Sequence, residues 1–91
     1  MTTKITVIGC GNLGNAVIKG LARAERDYHI VACDKIDEKL EAVDEYVDET
    51  TSDAAESVEN ADIIALAVKP DVAGAVLDSI DLLPSQYLVS F

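Results

Sequence analysis

A β-branched run, Lys4-Ile5-Thr6-Val7-Ile8, breaks into three glycines at the spacing G-x-G-x-x-G, Gly9-Cys10-Gly11-Asn12-Leu13-Gly14, and then resumes as a helical pattern. Strand, glycine turn and helix in that order constrain the fold more than any other feature of the chain. Gly9 can take the backbone angles of a tight strand-to-helix turn, Gly11 lets a phosphate approach the main chain, and Gly14 lets helix and strand pack closely. The N–H groups of Asn12, Leu13 and Gly14 would point at that phosphate with the positive end of the helix dipole behind them. Such an anion site needs no basic side chain. Leu13, Ala16, Val17, Gly20 and Leu21 are expected on one face of the helix, which runs to about Ala24.

The absence of a basic requirement matters because the chain has a formal net charge of -10. That balance argues against nucleic acid or an anionic membrane as partner, but not against an anionic cofactor gripped by backbone N–H groups. The acids concentrate between Asp34 and Asp62 and read as a solvated face. At 91 residues the chain makes one domain with a modest core. No apolar run approaches a membrane span, and Met1-Thr2-Thr3-Lys4 lacks the apolar region of a secretory signal, so the expectation is a cytoplasmic protein. Cys10 and Cys33 lack metal-ligand spacing and are expected as reduced thiols, Cys10 being a small side chain in a tight turn. His29 reads as structural, and no metal site is expected.

Along the chain, Glu25-Arg26-Asp27 form a polar link to a second strand, His29-Ile30-Val31-Ala32-Cys33, whose continuous apolar character suits a sheet covered on both faces. Ile36, Leu40 and Val43 mark the inner face of a second helix, and a third strand is expected near Tyr46 to Thr50. Ser52 and Asp53 offer N-caps to a short third helix, with Glu56 reaching back to Asp53 and Ala55 and Val58 facing inward. Asp62 to Val68 is a buried strand, stopped by Lys69-Pro70, where Pro70 suits the first turn of a fourth helix. Val72, Ala73, Val76, Leu77 and Ile80 form that helix's inward face; Pro84 closes the segment and Tyr87 to Phe91 is a fifth strand. Five strands alternating with four helices predict an α/β fold of the Rossmann type, an open parallel sheet of order 3-2-1-4-5 with helices on both faces.

In such sheets ligands lie beyond the carboxyl ends of the strands, which here carry Gly9 to Gly14, Asp34 and Val68-Lys69. Asp34 stands 20 positions after Gly14, where a dinucleotide fold places the acid that binds the adenine ribose. A carboxylate there accepts from a 2',3'-diol and repels a 2'-phosphate, with Lys35 as the neighbouring cation, and so favours NAD(H) over NADP(H). The competing role for Asp34 is to cap the next helix. Lys69 lies across the switch point from the glycine turn, where its main chain should border the nicotinamide half of a cofactor while its ammonium is free to be solvated.

The combination of Ile8-Gly9-Cys10-Gly11-Asn12-Leu13-Gly14 with Ile18-Lys19-Gly20-Leu21, Val58-Glu59-Asn60-Ala61-Asp62 and Leu66-Ala67-Val68-Lys69-Pro70 resembles the N-terminal domain of pyrroline-5-carboxylate reductase over essentially the whole chain. Deazaflavin-dependent NADP reductases share the glycine turn. The resemblance implies reduction of the imine of 1-pyrroline-5-carboxylate to proline with a nicotinamide cofactor as hydride donor. It implies that Gly9 through Gly14 hold the pyrophosphate and that Ala67, Val68 and Lys69 line the nicotinamide side. Asp34 departs from the many members that use NADPH. The resemblance also implies that a C-terminal helical domain, which completes the substrate pocket and carries dimer contacts, is absent from residues 1–91. The chain alone is then expected to catalyse little, to meet an imine substrate only with that domain, and to be a candidate homo-oligomer. No catalytic residue is assigned. Two other classes compete: a stand-alone nucleotide-sensing module, and an S-adenosylmethionine-dependent methyltransferase, against which the third glycine and the Lys69-Pro70 corner both argue.

Overall fold

The computed structural model describes residues 2–24 and 26–91; Glu25 of the expected polar link and Met1 fall outside them. Strands β1 (Thr3–Ile8), β2 (Tyr28–Cys33), β3 (Glu49–Thr51), β4 (Ile63–Leu66) and β5 (Tyr87–Ser90) alternate with helices α1 (Asn12–Arg23), α2 (Asp37–Val43), α3 (Ala54–Ser57) and α4 (Pro70–Asp78). All four strand pairings are parallel and the order is β3-β2-β1-β4-β5. This is the expected sheet, with its switch point between β1 and β4.

Period-two alternation divides the core between the two faces of the sheet. Ile5, Val7, Ala32 and Ala65 pack with Ile18 of α1 and Leu40 and Val43 of α2. Ile8, Cys33, Ile64 and Leu66 pack on the other side with Val58 and Ile80, joined by the half-buried Ala73 and Val76 of α4. Thr6 is the one polar strand residue buried at the centre, and its hydroxyl donates to the Ser57 carbonyl of α3. Helices therefore cover both faces. At the far end of the sheet, Gln86 fixes the approach to β5: its amide donates to the carbonyls of Val58 and Ala61 at 2.8 and 2.9 Å. His29 of β2 and Glu49 of β3 lie 2.7 Å apart across the strands, a structural pairing in which His29 holds the Glu49 carboxyl below its usual range.

Several faces differ from the periodicity reading. In α1 the buried positions are Gly14 and Ile18, with Val17 and Leu21 against the core, while Leu13 is 47% exposed and Ala16 and Gly20 face solvent. The close contact of Gly14 with the turn below it sets the phase of the helix and rotates its inner face. Ile36 is not on the inner face of α2; it is the N-cap residue and 48% exposed. In α3, Ala54, Ser57 and Val58 face inward and Ala55 is exposed. In α4, Val72 and Leu77 are exposed, leaving Ala73, Val76 and Ile80 as the inner face.

The third strand begins later than expected, because Asp44–Tyr46 forms a single 3-10 turn that continues α2 and swings Tyr46 and Val47 into the core. Asp48 then meets Ile30 twice, donating its N–H to the carbonyl and accepting at its carboxylate. Only after these contacts does the chain extend. The fourth strand is shorter than the apolar run that encodes it, since Ala67 and Val68 leave the ladder toward α4. Ile18→Ala should therefore cost about 2 to 5 kcal/mol by urea denaturation, whereas Leu13→Ala should shift stability by less than about 0.5 kcal/mol. Equal losses at the two positions would contradict the observed helix phase.

Candidate dinucleotide site

The carboxyl ends of β1, β2 and β4 meet around the glycine turn. Gly9 adopts φ +98°, a left-handed conformation open to glycine, and a Cβ there would stand 2.5 Å from the Ala67 carbonyl oxygen and 2.7 Å from Val68 Cγ1. Its N–H donates to the Cys33 carbonyl at 2.8 Å, and Ala67 N–H donates to the Ile8 carbonyl at 2.8 Å. The turn is thus held from β2 on one side and from the end of β4 on the other. A Cβ on Gly14 would overlap the Gly9 carbonyl. Glycine at 9 and 14 is required by the protein itself.

Gly11 is different. It is the N-cap of α1 with φ -73° and ψ -156°, angles any residue can adopt, and a Cβ there would meet only Lys39 Nζ at 3.9 Å. The space above it is open and no side chain caps the helix. The first intrahelical bond runs from Asn15 N–H to the Gly11 carbonyl at 2.8 Å, so the N–H groups of Asn12, Leu13 and Gly14 precede the hydrogen-bonded ladder. Donors aimed outward at a helix N-terminus, with free space above a glycine, fit a phosphate-bearing group.

Asp34 lies one residue beyond β2 and is half-buried. Its Oδ2 accepts from the Cys10 N–H at 2.8 Å and its Oδ1 from the Ile36 N–H at 2.9 Å. The second bond closes a local turn that holds the approach to α2; the helix expected to be capped by Asp34 has Ile36 as its N-cap and no side-chain cap, so Asp34 does not cap it. A carboxylate has about four lone-pair positions, so two N–H bonds leave two for a ribose diol. Holding the two N–H groups and accepting from a ribose are compatible in one side chain.

Ala67 and Val68 are half-buried against the turn, and Lys69 is exposed as the N-cap of α4, its carbonyl accepting the N–H groups of Val72 and Ala73 at 2.9 Å. The structure brings the backbone of Ala67 and the side chain of Val68 to Gly9. Lys69 stands at the same edge with its side chain in solvent.

Lys39 is a residue that the sequence reading passed over in favour of Lys35. A helical side chain points back toward the N-terminus, and from the first turn of α2 this carries the Lys39 ammonium to Gly11. The signal was its position in the first turn after Asp34. Gly11, Asn12, Asn15, Glu38 and Lys39 line a cleft of about 410 Å³ beside the turn. A larger groove of about 550 Å³ lies elsewhere, between α3 and β3, walled by Glu49, Asp53, Glu56 and Glu59. Four carboxylates against the single ammonium of Lys4 disfavour an anion there, and the smaller cleft is the one that adjoins the helix N-terminus.

The two cysteines lie on opposite faces of the sheet, Cys10 with the α1 and α2 core and Cys33 with the α3 and α4 core. Both are free and buried. Burial, with the Asp34 carboxylate adding to it, pushes the Cys10 thiol from 9.0 up to about 12, so the helix N-terminus does not produce a thiolate. Cys10 is a buried side chain packed in the turn, 3% exposed. Among the described residues no group of three or more His, Cys, Asp or Glu is placed to hold a metal ion, and no helix is long and apolar enough to cross a membrane.

A parallel sheet with a glycine turn opening onto a helix N-terminus, and an acid at the end of the next strand, defines the class of nucleotide-binding α/β domains. Within that class, residues 4–91 match the family described as NADP oxidoreductase, coenzyme F420-dependent, and the chain belongs to that family as an NAD(P)-binding oxidoreductase domain. It is 32% identical over 77 residues to pyrroline-5-carboxylate reductase of Mycobacterium tuberculosis, an alignment covering 82% of this chain and 26% of that protein. Its fold is similar to that of an imine reductase from Pseudomonas sp. (TM-score 0.84, 19% identity, 99% of this chain and 32% of that one). It is also similar to prephenate dehydrogenase from A. aeolicus in complex with NAD+ (TM-score 0.82, 19% identity, 97% and 32%), and to an imine reductase from Myxococcus stipitatus in complex with NADP+ (TM-score 0.82, 23% identity, 97% and 31%). The chain spans about a quarter of the reductase it matches in sequence and about a third of these structures.

A raised Cys10 pKa carries a stability consequence of definite sign. The folded state prefers the neutral thiol, so this contribution is fully present below pH 9 and is lost as pH rises toward 12. Wild-type stability should fall more steeply above pH 9 than that of Cys10→Ala, by up to about 1.4 kcal/mol per pH unit. Parallel stability curves for the two proteins would show that Cys10 ionises equally in the folded and unfolded chain.

Proposed function

We propose that residues 1–91 form the cofactor domain of a reductase that transfers hydride from a nicotinamide dinucleotide to a carbon–nitrogen double bond, with 1-pyrroline-5-carboxylate as substrate and proline as product. The observation that carries the reading is the set of outward N–H groups on Asn12, Leu13 and Gly14 above the open face of Gly11. The sequence relative is a pyrroline-5-carboxylate reductase and the structural relatives include imine reductases, which supports an imine rather than a carbonyl as acceptor.

The cofactor supplies the hydride; the residues of this chain bind and orient it. Asn12, Leu13 and Gly14 hold the pyrophosphate through backbone N–H groups, and the Lys39 ammonium offsets part of its charge. Asp34 accepts from the adenine ribose. The Ala67, Val68 and Lys69 corner, packed beside Gly9, would border the nicotinamide end of the cofactor. None of these side chains is assigned a proton-transfer role. The substrate pocket and any contacts between subunits are expected from a further domain, as the greater length of the relatives supports. A cytoplasmic enzyme of proline biosynthesis is the physiological setting that follows.

The Asp34 carboxylate favours NAD(H), because a 2'-phosphate at about 4 Å would meet like charge costing about 4 kcal/mol at an effective dielectric of 20 before screening by salt and Lys39. Calorimetric titration at one fixed salt concentration should show NADH binding more tightly than NADPH, and S-adenosylmethionine not at all. Gly11→Val should abolish binding of both dinucleotides while the chain still folds, with a modest fall in melting temperature because Val caps α1 less well than Gly. Unchanged NADH affinity in Gly11→Val would remove the pyrophosphate site from this turn.

A further inference from the structure

We infer that Asp34 is a positioning residue for the pyrophosphate turn, acting through the Cys10 N–H in addition to the ribose. The inference rests on the cofactor reading above and concerns how one side chain serves both halves of the same site. The backbone links β2 to the turn through the bond from Gly9 N–H to the Cys33 carbonyl. The Asp34 carboxylate joins the β1–α1 turn to the β2–α2 link, one oxygen on the N–H of Cys10 and the other on that of Ile36. Its own N–H donates to the Thr51 carbonyl at 3.3 Å, which fixes Asp34 to the edge strand β3.

Cys10 is the residue through which such a strut can act. It sits between Gly9, at φ +98°, and Gly11, which opens α1. Its side chain is 3% exposed and its Sγ lies 3.5 Å from the Cys33 carbonyl oxygen, so the side chain anchors the turn while the N–H is held by Asp34. Without the carboxylate, the Cys10 N–H is left without that acceptor in a part-buried position. The peptide must then rotate toward water. Rotation about Cys10 moves the peptide of Gly11 and, with it, the donors that begin α1.

Simple electrostatics predicts the opposite sign. A carboxylate beside a pyrophosphate repels it, so removing the charge should improve binding of any dinucleotide that does not use the ribose contact. A strut predicts that removal weakens binding even then. An NADH analogue whose adenosine ribose lacks both hydroxyls separates the two roles, because it cannot donate to Asp34.

The test compares the wild type with Asp34→Ala by titration with NADH and with the dideoxy analogue, and follows amide exchange in the ligand-free protein. The expected result is a loss on the order of tenfold in affinity for the analogue, a larger loss for NADH, and faster exchange at the Cys10 N–H. If Asp34→Ala does not fold, Asp34→Leu serves, since it keeps much of the side-chain volume but offers no acceptor to the Cys10 N–H, and the analogue should again bind more weakly. Wild type that binds both ligands, with analogue affinity unchanged or improved in the variant, overturns this inference alone. Unchanged protection of the Cys10 amide does the same. Wild type that binds neither ligand overturns the cofactor reading and the inference with it.

Discussion

The carbonyl of Gly9 occupies the space where a side chain on Gly14 would begin, and the carbonyl of Ala67 stands against the missing side chain of Gly9. These two approaches of backbone to backbone set where α1 starts, which way it faces and how near the end of β4 comes to the turn. Ile18 is carried into the core one helical turn above Gly14, against Ile5, Val7 and Ala32. The N–H groups that precede the helical ladder are left pointing out over the carboxyl edge of the sheet. Fold and proposed site therefore share one constraint, and Gly11, which we propose serves a ligand, can be distinguished from the two glycines that serve the chain.

A chain with net charge -10 is an improbable binder of a dianionic pyrophosphate if charge is counted over the whole molecule. Local geometry resolves the conflict. Field strength falls off within a Debye length of about 8 Å at physiological salt, so what matters is the arrangement at the turn: helix N–H donors, the ammonium of Lys39 and an Asp34 carboxylate that is hydrogen-bonded to two backbone N–H groups. Asp37, Glu38, Glu41, Asp44 and Glu45 lie on α2 and the turn that follows it, and the acidic groove between α3 and β3 gathers Glu49, Asp53, Glu56 and Glu59 away from the glycine turn. Its separation from the turn leaves the cofactor cleft free of carboxylates other than Asp34 and Glu38.

Much of this architecture was legible in the sequence. The strand–glycine–helix order, the apolar runs of β2 and β4 and the Lys69-Pro70 stop are local signals, and together they determine the sheet order. Asp53 caps α3 through the Glu56 N–H at 3.3 Å, as its position before the helix implies. What escaped was relational. The face of α1 depends on the Gly14 contact rather than on the spacing of apolar residues, and Tyr46-Val47 reach the core from a 3-10 turn although their composition suits a strand. The bond from Asp34 to Cys10 joins residues 24 apart and has no sequence signature. Lys39 reaches Gly11 because of the direction of α2, which spacing alone does not reveal.

The central claim is that the α1 N-terminus, and not another surface of this acidic domain, receives the dinucleotide. Titrating 15N-labelled protein with NADH while following each backbone amide tests it most directly. The account predicts saturable shifts that are largest at Gly11, Asn12, Leu13 and Gly14, with smaller ones at Cys10 and Ile36, all fitting one dissociation constant. Shifts concentrated around β3 and α3, or none that saturate, would contradict it.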